Sequence, residues 1–403
     1  VIPSPKDSRQ GIMDSVGTMV EIMSRGGGVG VNLSTLRPRG AHVAGVNGTS
    51  SGPVSWAELY STATAQVIQG GCFAPDQRIA TDRGLIPAAE LAQRLENGEV
   101  IYAATHEGPR RLTWAFRNGI KPVYRVTTAH GFSVDVTRDH KMGVRRHGRL
   151  ETVPLAELAA GDEVLVAFGH ALAREYVELD ARTLADLDLQ LTVPGLGVAV
   201  ADLLNGDRKA PRYLDERTAY ALGYSLGVRR RSPGQRGGAG AGMKRVPEAV
   251  FRSPAAVMFA FVVGYLVAAS GQRDSRGVYS LTGENLALLR DIQQLLAANG
   301  ILAAIETVPT ASPAGEGGGT LYRLEVKGDV ARGEGADWPA LAGGERRYSR
   351  LHEPGAANGR VVAETAVVAP AATRVHTLPD PIVSIEPLGS MEVYDFEVED
   401  VHM

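Results

Sequence analysis

The sequence predicts a multidomain α+β chain. A short α/β segment leads into an all-β domain, which is interrupted by an α+β insertion and resumes near the end. Three observations carry this reading. Apolar spacing changes from helical to strand-like at Cys72, strand character returns from Thr373 onward, and the long stretch between is richer in helical patterns. The boundaries that follow are 1–71, 72–169, 170–345 and 346–403.

Each segment has its own signals. Ile12, Val16, Met19, Val20 and Met23 recur at helical spacing over residues 11–24. A glycine loop at residues 25–32 then enters a strand, and residues 54–69 read as a second helix. Beyond Cys72 come a short strand at Arg78, a turn over residues 81–84, a hairpin whose arms are 124–128 and 131–136, and a strand over 161–166. Short strands so closely spaced predict an all-β domain. Gly/Pro-rich loops at 231–242 and 309–319 punctuate the insertion. Residues 381–386 and 392–398 alternate with the strand period.

Bulk properties narrow the classes. A chain of 403 residues with 44% hydrophobic content can build real cores in about two to four domains. A net charge of -3 supplies no global field toward nucleic acid or membrane. No apolar run reaches membrane-spanning length and no signal peptide is visible, so the expectation is a cytoplasmic protein with no membrane partner. The chain begins with Val1 and stops at His402-Met403 straight after a strand pattern, which predicts a fragment of a longer product.

Cys72 is the only cysteine. It can form neither an internal disulfide nor a cysteine-rich zinc site. It is an inert buried thiol, a metal ligand in mixed company, or a nucleophile. It follows Gly70-Gly71 at the point where sequence character changes.

Three stretches around that point carry a resemblance. They are Cys72-Phe-Ala-Pro-Asp-Gln-Arg-Ile, then Val136-Thr-Arg-Asp-His140, then residues 393–402 with Asp395 and His402. In that order they resemble the blocks of inteins, the self-splicing members of the hedgehog/intein (HINT) family. The resemblance implies that the Cys72 thiol attacks the Gly71 carbonyl and converts the junction amide to a thioester, without a cofactor. It implies that His140 protonates the leaving nitrogen and that Thr137 orients the scissile peptide or stabilises the oxyanion. Asp395 would serve as acid/base near Cys72, and His402 would assist a later asparagine cyclisation. The flanking host segments are the substrate. Taken singly, Thr-x-x-His recurs by chance, and Asp395 fits the solvent face of a strand equally well. The family's closing His-Asn and acceptor nucleophile do not appear by Met403, so the chain as given is expected to stop at the thioester. A hedgehog-like lipid transfer fits the flanking sequences less well.

Residues 218–228 and 259–271 resemble the paired helices of LAGLIDADG homing endonucleases. Active members end each helix with a carboxylate that holds a divalent metal. The equivalent positions here are Val228 and Ala269, which cannot ligate one. The expectation is a degenerate nuclease whose helices approach closely through Gly223 and Gly264. The spacing between the helices is too short for the usual first half-sheet. A metal is needed only for the alternative, an active endonuclease cutting the intein-less host gene. Residues 207–252 carry eleven Lys/Arg against four Asp/Glu, which reads equally as a residual DNA-binding surface or a solvated basic loop.

Residues 1–71 resemble adenosylcobalamin (vitamin B12)-dependent class II ribonucleotide reductases, through Val1-Ile-Pro-Ser-Pro, the 25–32 glycine loop, Leu36-Arg-Pro38, Val46-Asn-Gly48, residues 50–56 and Gln69-Gly-Gly71. This implies an α/β-barrel slice in which Gly28 approaches the substrate. The complete host would bind a ribonucleotide substrate and a nucleotide effector, and use adenosylcobalamin. Its radical and redox cysteines are not in this chain, so the slice is expected to be inactive as an oxidoreductase.

Overall fold

The computed structural model describes residues 1–24, 29–43, 45, 47–66, 71–180, 183, 212–228, 245–269, 272–273, 279–308, 320–329 and 375–399. Gly28, Gln69, Gly70, His402 and the loops at 231–242 and 309–319 lie outside these residues, as do 207–211 and 229–244 of the basic stretch.

The first segment contains α1 (Arg9–Ser24), β1 (His42–Val43), β2 (Gly48–Thr49) and α2 (Pro53–Gln66). The Ser8 hydroxyl accepts from the Gly11 amide at 3.1 Å at the start of α1. The helix buries Ile12, Val16 and Met19 against Leu36 and Tyr60, with Val20 and Met23 packed at the edge. The periodicity of the sequence is thus the periodicity of this small core.

From Cys72 the chain builds a large antiparallel sheet. Its strands are β3 (Arg78–Thr81), β4 (Gly84–Pro87), β5 (Tyr102–Thr105), β6 (Gly108–Thr128), β7 (Ser133–Val136), β8 (Lys141–Arg146), β9 (Arg149–Pro154), β10 (Glu163–Phe168) and the far later β15 (His376–Val398). The order is β4-β3-β5-β6-β15-β10-β8-β9, with β7 on β6. The two strand patterns read at 381–386 and 392–398 are one continuous strand, bent by several register irregularities against β6.

The expectation of an all-β domain needs one correction, because α3 (Ala88–Glu96) interrupts the strands. Pro87 precedes it with φ -57°, and the Gln77 and Pro75 carbonyls accept from the Ala88 and Ala89 amides. Glu90 and Arg94 pair one turn apart at 2.9 Å, while Ala88, Leu91 and Ala92 turn inward. Apolar residues at helical spacing decide this stretch, and they bury against the sheet as α3 packs on Tyr394.

The chain leaves the sheet after Phe168 and rejoins it at His376, which is Phe168's antiparallel partner. Between them lie α4 (Glu216–Val228), α5 (Glu248–Phe251), α6 (Ala255–Ala268), β11 (Gln272–Arg273), β12 (Tyr279–Gly283), α7 (Leu286–Ala298), β13 (Ile301–Val308) and β14 (Leu321–Asp329). The four strands pair as β11-β12-β14-β13. Among the described residues, only α5 lies between α4 and α6. A Cβ on Gly223 would overlap the Phe261 carbonyl, and one on Gly264 would overlap that of Tyr220. The two helices therefore touch backbone to backbone, and only glycine permits this at the crossing.

Side chains join the insertion to the sheet. The Arg78 guanidinium lies 3.7 Å from the centre of the Phe251 ring and donates to Glu248. Gln293 Nε2 and the Ile305 amide donate to the His130 carbonyl at 2.8 and 2.9 Å. His130 Nδ1 in turn lies 2.9 Å from the buried carboxylate of Asp380. Among the described residues, no helix is long and apolar enough to cross a membrane.

Candidate active site

Cys72 enters the sheet sideways. Phe73 forms isolated bridges to Val136 on β7 and Tyr394 on β15, with reciprocal amide-carbonyl bonds to Tyr394 of 2.8 and 3.0 Å. Held on both sides, Cys72 is fully buried and packs with Ala74, Val123 and Val393.

Thr137 follows β7 directly. The Cys72 amide donates to Thr137 Oγ1 at 2.8 Å, and the Thr137 amide donates back to the Cys72 carbonyl at 3.0 Å. The His140 amide donates to the Thr137 carbonyl at 3.1 Å, closing a four-residue turn. That turn is why the spacing matters: Thr137 and His140 are its two ends, and both face the residue 71–72 peptide. Leu155 locks the turn from behind by donating to the His140 carbonyl at 2.9 Å.

Gly71 is buried and pressed against this turn. A Cβ on Gly71 would collide with the backbone of His140. The His140 ring stands edge-on to Phe73, with 4.5 Å between ring centres. Burial lowers the pKa of His140, and a backbone hydrogen bond with Gly71 partly opposes that. Its Nδ1 is buried and makes no hydrogen bond of good geometry.

Asp395 sits on β15 opposite Phe116. It is half-buried, and this burial pushes its pKa up to about 6, while the Phe396 amide and Lys121 pull the other way. The solvent-face reading of Asp395 therefore gives way to an inward one. Strict alternation fails here because Val393 and Tyr394 are both buried. Burial also raises the Cys72 thiol, as do the charges of Asp395 and Asp139.

Two contacts to the sulfur have no signature in the sequence reading. Asn118 Nδ2 donates to Cys72 Sγ at 3.2 Å, and Lys121 Nζ lies 3.8 Å from it. Both oppose the effect of burial on the thiol.

In the insertion, Val228 is the last residue of α4 and Ala269 caps α6. Among the described residues, no group of three His, Cys, Asp or Glu side chains could hold a metal ion.

Known proteins divide the chain in the same region. The family described as "Ribonucleotide reductase, barrel domain" matches residues 1–73. The vitamin B12-dependent ribonucleoside-diphosphate reductase of Mycobacterium tuberculosis (strain CDC 1551 / Oshkosh) is 46% identical over 66 residues, 16% of this chain and 10% of that protein. The chain thus spans about a tenth of that relative's length. The replicative DNA helicase DnaB of Rhodothermus marinus is 28% identical over 303 residues, 64% of this chain and 31% of the helicase. Among solved structures, the VidaL intein aligns over 24% of this chain and 70% of its own, at 19% identity and a TM-score of 0.21. A match covering 64% of the chain lies mostly outside residues 1–73.

Proposed function

We propose that residues from Cys72 onward form an intein that interrupts a ribonucleotide reductase barrel, and that Cys72 begins its excision by attacking Gly71. The observation that carries this is the clasp between Cys72 and Thr137 at the Gly71–Cys72 peptide, with His140 packed against the same bond. A helicase and a reductase have no chemistry in common, and a self-excising element lodged in both accounts for their meeting in one chain.

The residues supply each part of an N-to-S acyl shift. Asp395 takes the thiol proton, Sγ bonds to the Gly71 carbonyl carbon, and the bond from that carbon to the Cys72 nitrogen breaks. His140 delivers a proton to the freed nitrogen. Burial lowers the pKa of His140, so its imidazolium is the minor form near neutrality and a strong proton donor when present. Return of the proton from Asp395 to His140 through solvent restores both groups, so that net one proton moves from sulfur to nitrogen. Thr137 holds the scissile amide in place. Gly71 leaves its carbonyl open to attack, and the packing against His140 admits no larger residue. His402 is assigned the later cyclisation step by resemblance.

The insertion we read as a degenerate LAGLIDADG domain, on the Gly223–Gly264 crossing and the apolar residues Val228 and Ala269. The complete host would reduce ribonucleotides with adenosylcobalamin, as the name of the mycobacterial relative indicates for that protein. Residues 1–71 contain no cysteine to carry a radical, so no step of that reaction is assigned to them.

Dithiothreitol added to the folded chain should release residues 1–71, and Cys72→Ala should abolish release. A folded chain that keeps this segment at every pH would refute the reading.

A further inference from the structure

The strand β6 carries a device the proposed acyl shift leaves unexplained. Its register against β15 places Ile120 opposite Glu392 but Arg117 opposite Tyr394. Asn118 and Gly119 therefore both oppose the single residue Val393, and Gly119 takes up the bulge at φ 71°. In a regular strand Asn118 and Lys121, three positions apart, point to opposite faces. The bulge adds one residue to that interval and brings both side chains onto the Cys72 sulfur, at 3.2 and 3.8 Å. Val123, two positions beyond Lys121, packs in the same cluster as Cys72.

We propose that Asn118 and Lys121 are catalytic residues that hold the Cys72 sulfur as a thiolate during its attack on Gly71. This rests on the acyl-shift reading above. A fully buried thiol resists ionisation, and Asp395 and Asp139 add repulsion. The Asn118 amide donates a hydrogen bond that strengthens as negative charge develops on sulfur. The Lys121 ammonium supplies the compensating charge, and it acts on Asp395 as well. When the thiol proton moves to Asp395, the carboxylate that repelled the thiolate becomes neutral, while the two donors on β6 stay. The charged or titratable groups acting on the sulfur are then Lys121 from β6, Asp395 from β15 and Asp139 from the Thr137–His140 turn.

A single cysteine makes the test clean, because thiolate absorbance of the full chain, minus that of Cys72→Ala, reports one sulfur. Lys121→Met and Asn118→Ala should each move the thiolate midpoint to higher pH. Each should slow dithiothreitol-induced release of residues 1–71 at pH 7 by about tenfold, the size expected for a lost bond to a charged group. Rates should converge with the unaltered chain at high pH, and Lys121→Arg should retain most of the function. Lys121→Met keeps the side-chain length and decides the matter if Asn118→Ala does not fold. An unchanged midpoint in folded Lys121→Met overturns the assignment. A shifted midpoint in a chain that never releases residues 1–71 leaves the thiolate contacts standing and removes the acyl shift instead.

Discussion

The amide of Cys72 donates to the hydroxyl of Thr137, and the amide of Thr137 donates back to the carbonyl of Cys72. Residues 65 positions apart are thereby clasped across one buried peptide. Thr137→Ala removes the acceptor and strands a buried amide, which costs about 1–3 kcal/mol. Thioester formation should fall by about tenfold in Thr137→Ala, while Thr137→Ser should keep most of it. Quantifying release of residues 1–71 by dithiothreitol checks both. Equal rates in all three would remove Thr137 from the site.

Asp395 gives a pH signature in stability as well as in rate. Its folded pKa of about 6 exceeds the ordinary value of 3.8, so the native state holds this proton more tightly than the unfolded chain does. Native stability therefore declines between pH 4 and 6 and is level above that, by about 2–3 kcal/mol from this group. Asp395→Asn should be more stable than the unaltered chain by that order at pH 8, and equal to it near pH 3. Urea midpoints across this range measure the difference. In the unaltered chain, thioester formation should rise as pH increases through about 6, because the carboxylate must be free to accept the thiol proton, and should fall again where His140 is no longer protonated.

The crossing of α4 and α6 predicts a stability effect independent of any chemistry. Gly223→Val or Gly264→Val would drive a side chain into the facing backbone carbonyl. Overpacking of this kind costs about 1–3 kcal/mol or more, because helix backbones cannot yield as side-chain ends do. Denaturant unfolding of each variant should show that loss. If it does not, the helices have room that the geometry denies.

Much of this site was legible in the chain itself. The turn from Thr137 to His140 is local, so its spacing in sequence is its spacing in space. Cys72 stood out through its uniqueness and its place after two glycines. The return of strand periodicity near the C-terminus anticipated β15, although two short strands proved to be one. Asn118 and Lys121 were not legible, because their separation by three positions reads as opposite faces until a bulge intervenes. Asp395 was ambiguous for a related reason, since alternation breaks beside it at Val393 and Tyr394. The helix α3 was missed among the strands, and its inward face is defined only by packing against Tyr394.

Local sequence was enough for the order of the segments, the singular cysteine after two glycines, the Thr137–His140 turn and the glycines that let α4 and α6 touch. Each of these depends on neighbours within a few residues or on the identity of one residue. Tertiary structure decided which side chains reach the sulfur and how Phe168 comes to lie beside His376. Those outcomes rest on strand register between distant segments, and register is set by hydrogen-bond pairing and burial across the whole sheet.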